Sequence, residues 1–319
     1  MPIDDPTGIP VAGPGSPYIS PAMLTAAPTG VAWSSIGSAS GKPTPEQQID
    51  EVINVCGRAT AMVNGYCNVP LRATIDTELL TGPGDFRFQL QPGGRARLLL
   101  SRPPVVSVLS GQWTPANAFP AQWTSVAAGQ FRVEKPLMGV YGTSTPGGSG
   151  EGGQAVLLAP GIVNWRFGRQ AFDVEVTYLN GWPHATTTTA VAASATALRV
   201  DDITGWAGAT GTVHDAGAQE PVTVTAVTPS TTGAQAGPGT LTLSGPLNYG
   251  HAPGTVLTTL PGTVIQATIM FAVSQALIRG ATATTVQALP GSRSSSGSRG
   301  PDDLIAEAKQ MLQPYRRTI

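Results

Sequence analysis

The chain has 319 residues, of which 39 are glycine and 29 proline, with 41% hydrophobic, 6% aromatic and 12% charged side chains. Charge is about half of what a globular domain usually carries, and this much Gly and Pro excludes a protein of long coiled helices. The 18 basic and 19 acidic residues leave a formal net charge of −1. That balance gives no general field for a phosphate backbone or an anionic bilayer, so free nucleic acid and membrane surface are poor partners.

Residues 1–43 carry prolines at 2, 6, 10, 14, 17, 21, 28 and 43, which break any continuous helix or central strand and predict an extended arm. Asp4 and Asp5 stand where a signal peptide would be basic. Tyr18, Ile19, Met23, Leu24 and Trp33 are large enough to need a surface to lie on, and the expected surface belongs to another subunit.

Thr44-Pro45-Glu46-Gln47 reads as a helix start, with Thr as N-cap, Pro at the first position and Gln three residues after the cap. Ile49, Val52, Ile53, Cys56, Ala59, Met62, Val63 and Tyr66 recur every three or four residues, so one buried stripe is expected along a helix over 44–66. Cys56 and Cys67 then lie about 16 Å apart along the axis, beyond the roughly 7 Å a bridge allows. Each is expected to be a small buried side chain in a reducing compartment.

From Leu71 to Tyr178 short apolar runs alternate with Gly, Pro and Asn, which predicts several antiparallel strands. In the last of them Phe172, Val174, Val176 and Tyr178 alternate with Asp173, Glu175 and Thr177. Residues 185–257 form a second β-rich stretch, with turn signals about every ten residues, as in a small barrel or sandwich. Leu260-Pro261-Gly262 opens an apolar helix over 262–279, expected to pack on the first. Pro301-Asp302-Asp303 opens a short C-terminal helix with Leu304, Ile305, Ala308, Met311 and Leu312 on one face. The expected fold class is α+β: two long helices and a C-terminal helix, antiparallel β-structure, and an inserted β-rich domain. The domain reading is an arm over 1–43, a core over 44–184 with 258–319, and an insertion over 185–257.

Chemical motifs are sparse. Gly148, Gly150 and Gly153 match G-x-G-x-x-G but are followed by a strand-like run, whereas a dinucleotide site needs a helix there. His184, His214 and His251 lack the close spacing of zinc ligands. Asp201, Asp202 and Asp215 lack the dense alternation of a calcium loop. Cys56 falls on an apolar helical stripe, where a nucleophilic thiolate is disfavoured. No enzymatic activity, cofactor or metal is expected. Arginine outnumbers lysine fifteen to three, and residues 260–319 hold six basic and three acidic side chains, a composition suited to forked hydrogen bonds at protein contacts.

The order of these pieces resembles the head-to-tail adaptor (connector) proteins of tailed bacteriophages, in particular the longer forms from phages of actinobacteria. The resemblance rests on Pro17-Tyr18-Ile19-Ser20-Pro21, Ala27-Pro28-Thr29-Gly30, Cys56-Gly57-Arg58-Ala59-Thr60, Tyr66-Cys67-Asn68 and Leu71-Arg72-Ala73-Thr74. It continues through Ser101-Arg102-Pro103-Pro104-Val105, Tyr178-Leu179-Asn180-Gly181-Trp182-Pro183-His184 and the helix after Leu260-Pro261. It implies a virion protein at the head–tail junction, assembled in the host cytoplasm as a homo-oligomeric ring of about twelve copies. Such a ring joins the portal to a neck or tail protein and passes DNA through its channel without reading sequence. By that analogy Tyr315, Arg316 and Arg317 are candidate portal contacts. An alternative from another class is a secreted or surface β-rich module binding glycan, with Trp206 and Tyr249 as the aromatic candidates.

Overall fold

The computed structural model describes residues 15–33, 36, 44–82, 87–91, 95–115, 120–133, 154–158, 172–215, 217–278 and 300–317. The architecture is α+β, and the described chain divides into two units: Arg72–Trp182 with Arg317, and Gly15–Leu71 with Pro183–Arg316. The single core expected over 44–184 with 258–319 is therefore split. Residues 72–182 cluster by themselves, while the helices gather with the β-structure that follows Pro183.

In the helical unit the N-terminal segment is folded. Ser20 accepts the Met23 N–H at 3.1 Å and Pro21 begins α1 (Pro21–Ala26), a cap followed by proline that starts a helix. Next comes α2 (Pro45–Cys67), opened by a reciprocal box. Thr44 Oγ1 accepts the Gln47 N–H at 3.2 Å, and Gln47 Oε1 accepts the Thr44 N–H at 3.0 Å. Asn68 ends it in the left-handed region at φ 57°. The inward face is Val52, Val55, Cys56, Ala59, Thr60, Val63 and Cys67. Ile49 and Ile53, placed on the buried stripe from their spacing, are exposed instead.

The all-β unit holds two four-stranded antiparallel sheets. The first pairs β1 (Thr74–Gly82), β8 (Phe172–Asn180), β4 (Val105–Pro115) and β5 (Thr124–Val126) in that order. The second orders β2 (Phe88–Gln91), β3 (Arg95–Leu100), β7 (Gln154–Leu158) and β6 (Phe131–Val133). One core draws on both sheets, through Leu80, Tyr178, Val174 and Val176 from the first and Phe88, Leu98, Leu100, Val156 and Leu158 from the second. Strand β8 alternates as its sequence requires, burying Phe172, Val174, Val176 and Tyr178. Strand β1 inverts the usual pattern: Asp76 and Glu78 share the inward face with buried Leu80, and Leu79 is 52% exposed.

Six further strands form a closed barrel: β9 (His184–Thr186), β10 (Ala197–Val200), β11 (Thr210–His214), β12 (Glu220–Pro229), β13 (Gly239–Leu243) and β14 (Val256–Thr258). The ladder runs β10-β13-β12-β11-β14-β9. Thr187 bridges Val200 to close it, with Thr188 N–H donating to Arg199 O at 3.0 Å and Asp201 N–H to Thr186 O at 3.1 Å. Closure removes the unpaired edges an open sheet would expose. Trp206 fills the interior with Leu198, Val213, Val224, Leu241 and Leu257. Gly211 is required by that ring, because a Cβ there would stand 2.9 Å from it.

The chain then enters α3 (Gly262–Ile278), which is apolar on nearly every side because it lies between α2 and α4 (Pro301–Leu312). Its two buried hydroxyls bond to their own helix, Thr268 Oγ1 to Val264 O at 2.7 Å and Ser274 Oγ to Phe271 O at 2.8 Å. Burial of Ala308 and Leu312 seats α4.

Candidate functional site

Two predicted groups of contact residues have definite positions. The arm residues do not wait for a neighbour: Tyr18, Ile19 and Leu24 are fully buried in their own chain, and Met23 and Trp33 are half-buried. Tyr18 is the anchor. Its N–H donates to Thr60 Oγ1 at 2.9 Å, its hydroxyl donates to Asn64 Oδ1 at 2.6 Å, and the same oxygen accepts the Leu71 N–H at 2.8 Å. His184 from β9 meets the ring edge-on at 5.4 Å, and its Nε2 lies 2.9 Å from Pro17 O. One tyrosine thus joins the N-terminal segment, α2 and the foot of the barrel, and Tyr18, Ile19 and Leu24 are taken up by packing within their own chain.

At the C-terminus α4 continues into a 3₁₀ turn, Gln313–Tyr315. Tyr315 Oη pairs with Thr263 Oγ1 at 3.0 Å. The Arg316 guanidinium lies over the Tyr66 ring at 5.4 Å, and Tyr66 Oη donates to Gln313 Oε1 at 2.6 Å. Arg316 remains exposed. The turn therefore holds Tyr315 and Arg316 against the ends of α3 and α2, and presents one fixed cation to solvent. Arg317 is half-buried and falls with the residues 72–182.

The titratable clusters are engaged internally. Glu220, 3% exposed, accepts the Asn248 N–H at 2.7 Å, Asn248 Nδ2 at 3.0 Å and the Tyr249 N–H at 3.2 Å, and its Oε1 is 2.8 Å from His251 Nε2. His251 Nδ1 lies 3.3 Å from Asp215 Oδ2. Burial acts to raise the Glu220 carboxyl, but the Asn248 and Tyr249 amides and the His251 ring outweigh it and hold the pKa below its ordinary value. Burial lowers His214. Asp202 Oδ1 accepts from Thr204 N–H at 2.9 Å and Gly237 N–H at 3.2 Å, and Asp201 Oδ1 accepts from Thr186 N–H at 2.6 Å. These carboxylates tie turns and strands.

In the sandwich unit Glu78 takes hydrogen bonds from Tyr178 Oη, Ser101 Oγ and, at 3.0 Å, Ser101 N–H. Asp76 takes Arg102 at 2.8 Å and Asn180 Nδ2 at 2.6 Å. Burial and the Glu78 charge push the Tyr178 phenol far up. Burial also pushes both thiols up to about 12, against the low pKa a reactive cysteine needs. Among the described residues no group of three or more His, Cys, Asp or Glu side chains is placed to hold a metal ion. Of the glycan candidates, Trp206 is fully buried in the barrel and Tyr249 is 48% exposed. The Gly148, Gly150 and Gly153 pattern lies outside the described residues.

The structure also exposes a surface that periodicity missed. Along α2 the residues Ile49, Ile53, Gly57, Ala61 and Gly65 all face solvent, forming one i, i+4 ridge. Both isoleucines share the three-to-four-residue spacing of the buried stripe, so neither spacing nor hydrophobicity distinguishes them from the inward residues.

No protein-family model, curated protein or solved structure matches this chain. Among the described residues no helix is long and apolar enough to cross a membrane.

Proposed function

We propose that this protein is a structural assembly subunit, the head-to-tail adaptor of a tailed bacteriophage, acting in the virion as a ring between portal and neck. The order of sequence pieces that resemble such adaptors supports this reading. The observation that carries it is Arg316, an exposed guanidinium fixed over Tyr66 by a turn whose Gln313 and Tyr315 are themselves bonded to α2 and α3. A cation pre-ordered in this way loses little side-chain freedom on meeting a carboxylate of a partner, which favours specific docking. Buried carboxylates whose acceptors are taken up by the chain's own amides fit a scaffold.

Capture of the cognate portal protein by the full chain tests the assignment, read beside electron microscopy of the assembled complex. Arg316→Ala is expected to weaken capture about tenfold or more while leaving the melting temperature nearly unchanged, the scale of one lost charge-assisted contact. Arg316→Ala isolates the contact because it leaves α4 packed on α3. Capture unaffected by Arg316→Ala would remove the docking role, and a chain that never forms rings on portal would remove the adaptor reading.

A further inference from the structure

Strands β1 and β8, the first and last strands of the stretch 72–182, lie side by side, and their register sets Thr74 directly opposite Asn180. Both side chains meet one carboxylate oxygen. Asp76 Oδ2 accepts the Thr74 hydroxyl at 2.7 Å and Asn180 Nδ2 at 2.6 Å, while Arg102 donates to the other oxygen, Oδ1, at 2.8 Å. A carboxylate only accepts, which fixes the amide with its nitrogen toward Asp76. Its Oδ1 is then 3.2 Å from Thr74 Oγ1. A hydroxyl oxygen thus stands beside a carboxamide carbonyl, with its proton directed to a base. Asn180 and Asp76 are buried and Thr74 is half-buried.

We propose that Thr74 and Asn180 join in an intramolecular ester, with Asp76 carrying the proton. The Thr74 oxygen attacks Cγ of Asn180, and its proton passes to Asp76 Oδ2. The C–N bond of the tetrahedral adduct then breaks, and the same Oδ2 gives that proton to the departing nitrogen, which leaves as ammonia. One C–O bond replaces one C–N bond, nothing is oxidised or reduced, and no co-reactant enters. A threonine hydroxyl is a weak nucleophile that needs a neighbouring base. The base here touches nucleophile and leaving group through a single oxygen, so the proton is taken up and handed over without a side chain moving. Burial of Asn180 keeps water from the ester once it has formed. Asn180 precedes Gly181, whose nitrogen could expel the same ammonia by closing an imide. That N–H is engaged with Pro104 O at 2.9 Å. The ester ties the beginning of the stretch 72–182 to its end, beside the point where the Ala73 N–H donates to Trp182 O at 2.7 Å. Tension applied between those ends would load a covalent bond instead of unzipping β1 from β8. The linkage does not rest on the adaptor reading, because it needs only the residues of these two strands and Arg102.

Intact mass spectrometry of the full chain tests the linkage: the folded protein should weigh about 17 Da less than its sequence, the mass of one ammonia. Proteolysis should yield a branched species that joins the peptide holding Thr74 to the peptide holding Asn180. Thr74→Ser keeps a hydroxyl and should retain the mass loss, whereas Thr74→Val should abolish it. Asp76→Asn should slow its appearance about a hundredfold or more, followed from the moment of cell-free synthesis, with thermal melting showing that each variant folds. A folded parent whose mass equals that of its sequence overturns the inference. So does a mass gain from plain hydrolysis of the amide, or a loss of ammonia without the branched species. A loss that survives Thr74→Val also overturns it, since that marks the imide at Gly181.

Discussion

Replacing Glu220 by alanine removes the acceptor for Asn248 N–H, Asn248 Nδ2, Tyr249 N–H and His251 Nε2 in one step. The His251 side chain is fully buried and Glu220 is 3% exposed, so water does not replace the lost partner. Four buried donors left without an acceptor, at about 1 kcal/mol each, cost about 3–5 kcal/mol together. In a unit of roughly 190 residues each kcal/mol moves the midpoint by about 2–4 °C, so Glu220→Ala should melt about 6–20 °C below the parent. Glu220→Gln keeps an oxygen for the loop amides and should lose only about 1–2 kcal/mol. The pKa of Glu220 is lowered on folding from its ordinary 4.5. Its contribution is therefore full above pH 4.5 and is lost as pH falls through the lower folded value. Calorimetry of parent and variant should accordingly show the gap wide at pH 7 and narrowing in acid. A gap under about 1 kcal/mol at pH 7, or one that widens in acid, would refute the argument that this carboxylate holds the loop from Asn248 to His251.

Tyr18→Phe removes the hydroxyl that joins Asn64 to the Leu71 amide and should cost about 1–3 kcal/mol in urea unfolding; no change would mean the N-terminal segment is not anchored there. Gly211→Ala should lose about 1–3 kcal/mol, because its Cβ meets the Trp206 ring at 2.9 Å and Thr258 O at 3.0 Å. In dilute solution Gly57→Ala should instead gain about 0.5–1 kcal/mol, with nothing within 4 Å to oppose it. Cys56 and Cys67 should resist a disulfide-exchange reagent at pH 8 in the native protein and react fully in guanidinium, since burial raises both thiols to about 12.

Local rules located the elements whose signals are local. Thr44, Pro45 and Gln47 mark the start of α2, the alternation from Phe172 to Tyr178 marks β8, and Pro261 and Pro301 stand at the openings of α3 and α4. The same logic applies to Ser20-Pro21, a cap and proline that start α1, and counting prolines concealed it. Strand β1 went unread because its inward residues are Asp76 and Glu78, which are tolerated by partners from other segments: Arg102 and Asn180 for one, Ser101 and Tyr178 for the other. No window of sequence shows a partner a hundred residues away. Apolar character alone likewise cannot tell Val52, which faces α2's neighbours, from Ile53 beside it, which does not.

The Thr259 N–H donates to Pro183 O at 2.9 Å, and β9 lies beside β14 from Thr186 to His184. Polypeptide therefore departs on its excursion through the barrel and comes back at a single doorway. Lengthening, shortening or exchanging the cassette between those two residues leaves the thread on either side with the same short gap to span. The fold can thus carry a different module at this position without resetting the path from α2 to α3.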